Sequence, residues 1–176
     1  MKMVGCIFVF LAAAGAGIYA SMELERRMKQ IASLRRSLLY MEREIAFQLS
    51  SLAEAFSHTG ERSNPPWDEF FFDLAKQLER QERNICGEEK NVVDIFQKAR
   101  KRYEKTHPWK KEWEILERLF QGLGQLDKEM QMGQLRLAQE ELTLAEQEAR
   151  EEQKNKGQLY RSLGICMGIL GVILLV

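Results

Sequence analysis

Three prolines, two histidines and three cysteines in 176 residues leave several kinds of protein without their materials. So little proline, with only 12 glycines, excludes a collagen-like or low-complexity disordered chain. Two of the cysteines, Cys6 and Cys166, lie in uncharged terminal stretches, so no disulfide framework of a small secreted domain can form. Neither charge is in excess: 26 Lys and Arg balance 26 Asp and Glu. A basic face for nucleic acid is therefore not expected, and no nucleic-acid partner follows from the composition. No run alternates apolar and polar residues with β-branched enrichment, so no sheet is expected either.

What is present is strongly segregated. Met3–Ala20 and Leu163–Val176 carry no charge, while nearly all charge lies between Glu23 and Arg161. Met3–Ala20 would extend about 27 Å as a helix, against a bilayer core of about 30 Å. The C-terminal stretch reaches a similar length counted back to Leu159, with Arg161 able to snorkel to the interface. Both stretches read as transmembrane helices. A cleaved signal peptide ending at Ala12-Ala13-Ala14 competes for the first. Charge placement favours a retained anchor. Arg26, Arg27 and Lys29 follow the first stretch, with Arg35 and Arg36 further on, and Lys154, Lys156 and Arg161 precede or enter the second. The positive-inside rule then puts the middle of the chain in the cytoplasm of a protein in the cell membrane. The basic cluster Arg26–Arg36 could also touch anionic headgroups, but orientation of the first span is the simpler explanation. Small residues one turn apart, Ala12/Ala16, Ala13/Gly17 and Gly164/Gly168, suit close helix packing in lipid. The expected organisation is a transmembrane segment at 1–22, a cytoplasmic helical bundle at 23–156 and a second transmembrane segment at 157–176.

The middle carries helical periodicity throughout. Leu24, Met28, Ile31, Leu34, Leu38, Met41, Ile45, Leu49, Leu52 and Phe56 recur every 3 or 4 residues. No Gly or Pro intervenes from Met22 to His58, which predicts one long helix continuous with the first span. His58–Pro66 reads as a loop. Trp67, Phe70, Phe71, Leu74 and Leu78 predict a second helix ending near Gly87. Val92–Tyr103 predicts a third, and Trp109–Leu123 a fourth opened by Pro108 and ended by Gly122 and Gly124. Asp127 is placed to cap a last long helix, solvated beyond Ala149 and weak at Gly157. The aromatic residues, at three- and four-residue spacing, read as core. The expectation is an all-α, membrane-anchored bundle with two long helices and about three shorter ones between them. The spacing of Leu38, Met41, Ile45, Leu49 and Leu52, near 3.5, also suits a coiled-coil seam between two copies, a possible homo-oligomer.

Reactive chemistry is sparse. Neither His58 nor His107 stands at zinc-ligand spacing or in a Glu-x-x-His pair. Gly122-Leu123-Gly124 lacks the lysine and strand of a phosphate loop. Cys86 has no histidine nearby to activate it. No catalytic residue, metal ligand or cofactor is assigned, and the chain is not expected to be an enzyme.

Two stretches together carry a resemblance. One is Gln30-Ile31-x-x-Leu34-Arg35-x-x-Leu38-x-x-Met41-Glu42-x-Glu44-Ile45, followed by Leu52-x-Glu54-Ala55. The other is Leu123-Gly124-x-x-Asp127-x-x-x-Gln131, then Glu146, Ala149 and Arg161-Ser162-Leu163-Gly164 before an apolar tail. In order and spacing they resemble the stage III sporulation protein AB family, over nearly the whole chain. That resemblance implies a non-enzymatic subunit of the sporulation channel complex between mother cell and forespore, in the mother-cell membrane. The family is similar to platform proteins of type II secretion and type IV pilus machines. By that similarity the partners would be a cytosolic secretion-type ATPase, other sporulation channel proteins and the lipid bilayer. A self-associating, membrane-tethered scaffold or sensor without a motor is the alternative.

Overall fold

The computed structural model describes residues 2–47, 51–83, 91–107, 109–123 and 127–175; within them the side chains at 2–10, 13, 82–83, 161, 164–165, 168 and 171–175 are not described. Six helices follow in order: α1 (Lys2–Phe47), α2 (Leu52–Arg62), α3 (Trp67–Arg83), α4 (Val92–Tyr103), α5 (Lys110–Leu123) and α6 (Lys128–Leu175). No strand occurs among the described residues. The chain divides into two compact units: Gln30–Ala145, and Met1–Lys29 with Glu146–Val176.

The unit Gln30–Ala145 holds the aromatic core. Ile31, Leu34, Leu38 and Met41 form the fully buried face of α1, the stripe expected from their spacing. The expected single helix from Met22 to His58 is interrupted, however. Apolar periodicity continues past Phe47, but Ser51 opens a new helix with a reciprocal cap. The Glu54 amide donates to Ser51 Oγ at 3.3 Å and the Ser51 amide to Glu54 Oε2 at 2.9 Å. This capping box satisfies two amide donors that a helix start leaves open. The loop expected at His58–Pro66 shrinks to Ser63–Pro66, because α2 continues through Gly60. A Cβ on Gly60 would lie 3.1 Å from the Phe72 ring, so glycine here allows α2 to press against α3. Among the described residues the bundle therefore has four shorter helices, where about three were expected.

Packing of rings dominates this unit. Phe120 stacks on Phe96 at 4.5 Å between centroids and on Phe56 at 5.6 Å. Phe70 presents edges to Phe96, Tyr103, Trp113 and Phe120. Trp67, Phe70, Phe71, Trp109 and Trp113 are all buried, as their spacing led one to expect. Both deeply buried indoles find acceptors: Trp67 Nε1 donates to the Gln30 carbonyl at 2.9 Å and Trp113 Nε1 to the His107 carbonyl at 2.8 Å. The seam proposed for pairing between copies is largely used inside the chain. Leu38 and Met41 are fully buried, Ile45 and Leu52 half-buried, and Leu49 lies outside the described residues.

Phe120→Ala should therefore cost about 3–5 kcal/mol of stability, whereas Ser51→Ala should cost about 1 kcal/mol. Chemical denaturation of the purified chain in mild detergent measures both; equal effects would contradict this ranking.

Candidate functional site: the paired terminal helices

The residues that the sequence assigns to membrane-helix packing and to topology lie in the unit Met1–Lys29 with Glu146–Val176. There the first part of α1 and the last part of α6 run antiparallel. Arg27 Nη1 meets Glu152 Oε2 at 3.3 Å, and Lys156 Nζ reaches Glu152 Oε1 at 2.5 Å. Two cations expected to act separately, one after the first charge-free stretch and one before the second, thus share one carboxylate. The hydrogen bond from Lys156 holds the Glu152 carboxyl below its ordinary range; burial opposes this and the charges of Lys156 and Arg27 add to it. The same bond raises Lys156. Lys29 pairs with Glu25 at 2.6 Å within its own helix.

A close approach falls at two residues not assigned a role from sequence. Ser21 is 1% exposed, and a Cβ on the buried Gly157 would stand 3.3 Å from Ser21 Oγ. Gly157, expected to weaken the helix, instead lies unbroken within α6. The available signal was two small residues at the inner edges of the apolar stretches, the positions where helix backbones come together most easily. An open groove of about 440 Å³ runs beside them, lined by Ser21, Gln153, Lys154, Gly157 and Gln158.

The packing residues proposed from sequence are placed less closely. Ala12 and Ala16 are exposed and Gly17 is half-buried. The side chain of Ala13 and the surroundings of Gly164, Gly168 and Arg161 lie outside the described residues, as do Cys86, Gly87, Pro108 and Gly124. Arg26 and Lys154 are exposed. Among the described residues, no helix is long and apolar enough to cross a membrane.

Nothing among the described residues assembles a reactive centre. No three metal-ligating side chains converge. His58, expected in a loop, sits in α2 with Nδ1 3.2 Å from Glu44 Oε2, and Arg62 reaches the other carboxylate oxygen at 3.2 Å. Glu44 is 3% exposed and joins α1 to α2; it is a buried carboxylate held by two partners, as burial of a charge requires. His107 is buried with its ring against Trp109.

A family model of stage III sporulation protein AB matches residues 2–176. The chain belongs to the stage III sporulation protein AB family. It is 25% identical over 175 residues to the stage III sporulation protein AB of Bacillus subtilis (strain 168), covering 99% of each chain. A solved structure of a stage III sporulation protein AB aligns with a TM-score of 0.62 at 23% identity, covering 74% of this chain and 98% of that one. That likeness shows the all-helical fold.

In this chain the residues that carry the resemblance hold helices in register. Glu42 accepts from Arg136 Nε at 2.7 Å and from Gln139 Nε2 at 2.9 Å, tying α1 to α6. Asp127 Oδ1 accepts the Met130 amide at 2.9 Å, the expected cap. Gln131 Nε2 donates to the Leu123 carbonyl at 2.8 Å, closing the turn from α5 to α6. Phe120 is fully buried in the ring cluster.

Two outcomes follow from the paired helices. With Cys6, Cys86 and Cys166 replaced by Ala, the pair Ser21→Cys and Gly157→Cys should close an intramolecular disulfide under mild oxidation; a reductant-sensitive gel shift reports it, and no shift would contradict the close approach. The depressed Glu152 carboxyl stabilises the fold above its unfolded value of about 4.3, and that contribution is lost as pH falls through the lower folded value. Thermal stability should therefore fall less below about pH 4 in Glu152→Gln than in the unaltered chain.

Proposed function

We propose that this chain is a non-enzymatic, platform-like membrane subunit of the sporulation complex, linking a cytosolic secretion-type ATPase to channel components between mother cell and forespore. Two spans, Met3–Ala20 and Leu159–Val176, would anchor it in the mother-cell membrane, with 23–156 as a cytoplasmic bundle. The observation that carries this reading is one family match extending across both apolar ends and the helical middle. The uncharged ends support membrane insertion, and the basic residues Arg26, Arg27, Lys29, Lys154 and Lys156 support a cytoplasmic middle. Contacts between the terminal helices at Ser21 and Gly157 would brace two neighbouring spans where they leave the bilayer. The similarity of the family to secretion platform proteins supports the ATPase as partner. The packing role of Ala12, Ala13, Ala16, Gly17, Gly164 and Gly168 belongs to the same proposal, as contacts to other membrane helices.

A second reading, self-association without a motor, draws on one observation. Met130, Leu137 and Leu144 recur every seven residues along α6 and are 55%, 49% and 59% exposed. Such a stripe can pair with a second copy.

Two measurements test these readings. Washing membranes with alkaline carbonate should leave the chain in the pellet, and its release would remove the anchored reading. Purification in mild detergent from sporulating cells should recover the ATPase with it. Recovery of the chain alone, as a dimer that Leu137→Glu dissociates, would favour the second reading instead.

A further inference from the structure

Where α1 passes the turn from α2 to α3, hydrogen-bond donors gather without matching acceptors. A small depression of about 20 Å³ is lined by Ser33, Arg36, Ser37 and Tyr40 of α1 and by Arg62, Ser63 and Asn64. No carboxylate lines it. The guanidinium of Arg36 makes one long contact, from Nε to the Ala32 carbonyl at 3.4 Å, and has no acidic partner among the described residues. Arg62 spends one amino group on Glu44 at 3.2 Å, which leaves others directed elsewhere. The Ser33 hydroxyl, the Tyr40 phenol and the Asn64 side-chain amide line the depression and have no hydrogen-bond partner among the described residues. Ser37 and Ser63 differ: their oxygens lie 2.6 Å apart, and they also reach the Ser33 and Thr59 carbonyls at 3.1 and 2.7 Å. Their protons are committed within the chain, and they fix the floor of the depression.

We propose that this depression binds a tetrahedral phosphate group. The space is sufficient for a single ligand oxygen, since one water needs roughly 10–15 Å³. That oxygen would meet the Ser33 hydroxyl, while oxygens left at the mouth meet Arg36, Arg62, Tyr40 and Asn64. Two guanidinium groups against one buried carboxylate, itself shared with His58, give the local charge an anion requires. Free phosphate and a small phosphate monoester share this chemistry. The site lies wholly in the bundle and does not depend on the membrane reading.

Calorimetric titration of the full chain in mild detergent with sodium phosphate, against sodium chloride at equal ionic strength, tests it. One phosphate site is expected, weakened about tenfold or more by Arg36→Ala, because a charge-assisted donor is lost. Arg80→Ala, an exposed arginine elsewhere, should bind as the unaltered chain does. Should Arg36→Ala fail to fold by circular dichroism, Ser33→Ala carries the same test, with a several-fold loss expected. Methyl phosphate binding as well as phosphate identifies an esterified ligand; markedly weaker binding identifies the free ion. No heat beyond the chloride control, or equal affinity in the folded variants, overturns the site.

Discussion

The stacking of Phe96 on Phe120, with Phe70 set edge-on to both, is the contact on which the rest of the bundle depends. Helices α2, α4 and α5 have 11, 12 and 14 residues, lengths at which an isolated helix is marginal in water. None of them stands by its own hydrogen bonding. Each contributes rings to one cluster: Phe56 from α2, Phe96 and Tyr103 from α4, Trp113 and Phe120 from α5. Burial of those rings makes the short helices persist and gives the two long helices a body to rest against.

Rings supply most of the burial, but their attraction has little direction, and register comes from polar groups that must find partners when dehydrated. The Trp67 indole donating to Gln30 fixes α3 along α1. Glu42, taking bonds from Arg136 and Gln139, fixes α6 along α1. Glu44 fixes α2 through His58 and Arg62. Leaving the Trp67 indole or the Glu44 carboxylate unpaired would cost free energy that a slipped packing could not recover. Such penalties, more than ring burial, select one arrangement of the helices.

Much of this was legible in the sequence, for reasons that also mark the limit. The helices α3, α4 and α5 were readable because Trp67–Leu78, Val92–Tyr103 and Trp113–Leu123 each carry a clean apolar stripe. The break after Phe47 was missed because apolar periodicity runs straight through it, and periodicity cannot see a chain reversal that keeps the same spacing. The signal that could have found it was local: Ser51 and Glu54 at capping-box spacing. In the sequence Gly60 looks like part of a loop, since its use, space for the Phe72 ring, arises only in the folded bundle. At the terminal helices the basic residues were visible, whereas their meeting on Glu152 and the contact of Ser21 with Gly157 were not. These depend on which residues of two distant helices come level, a property of the whole packing.

The family assignment gives the chain a place in sporulation, and the proposed mechanism adds a direction: a bundle facing the cytoplasm, where a motor could push on it. Sidedness is thus the central claim. The most direct test replaces the native cysteines with Ala, introduces Lys98→Cys on the exposed face of α4, and expresses the chain in non-sporulating cells. A membrane-impermeant maleimide is then applied to intact and to permeabilised cells. The account predicts labelling only after the membrane is opened. Labelling of intact cells would place the bundle outside and contradict it.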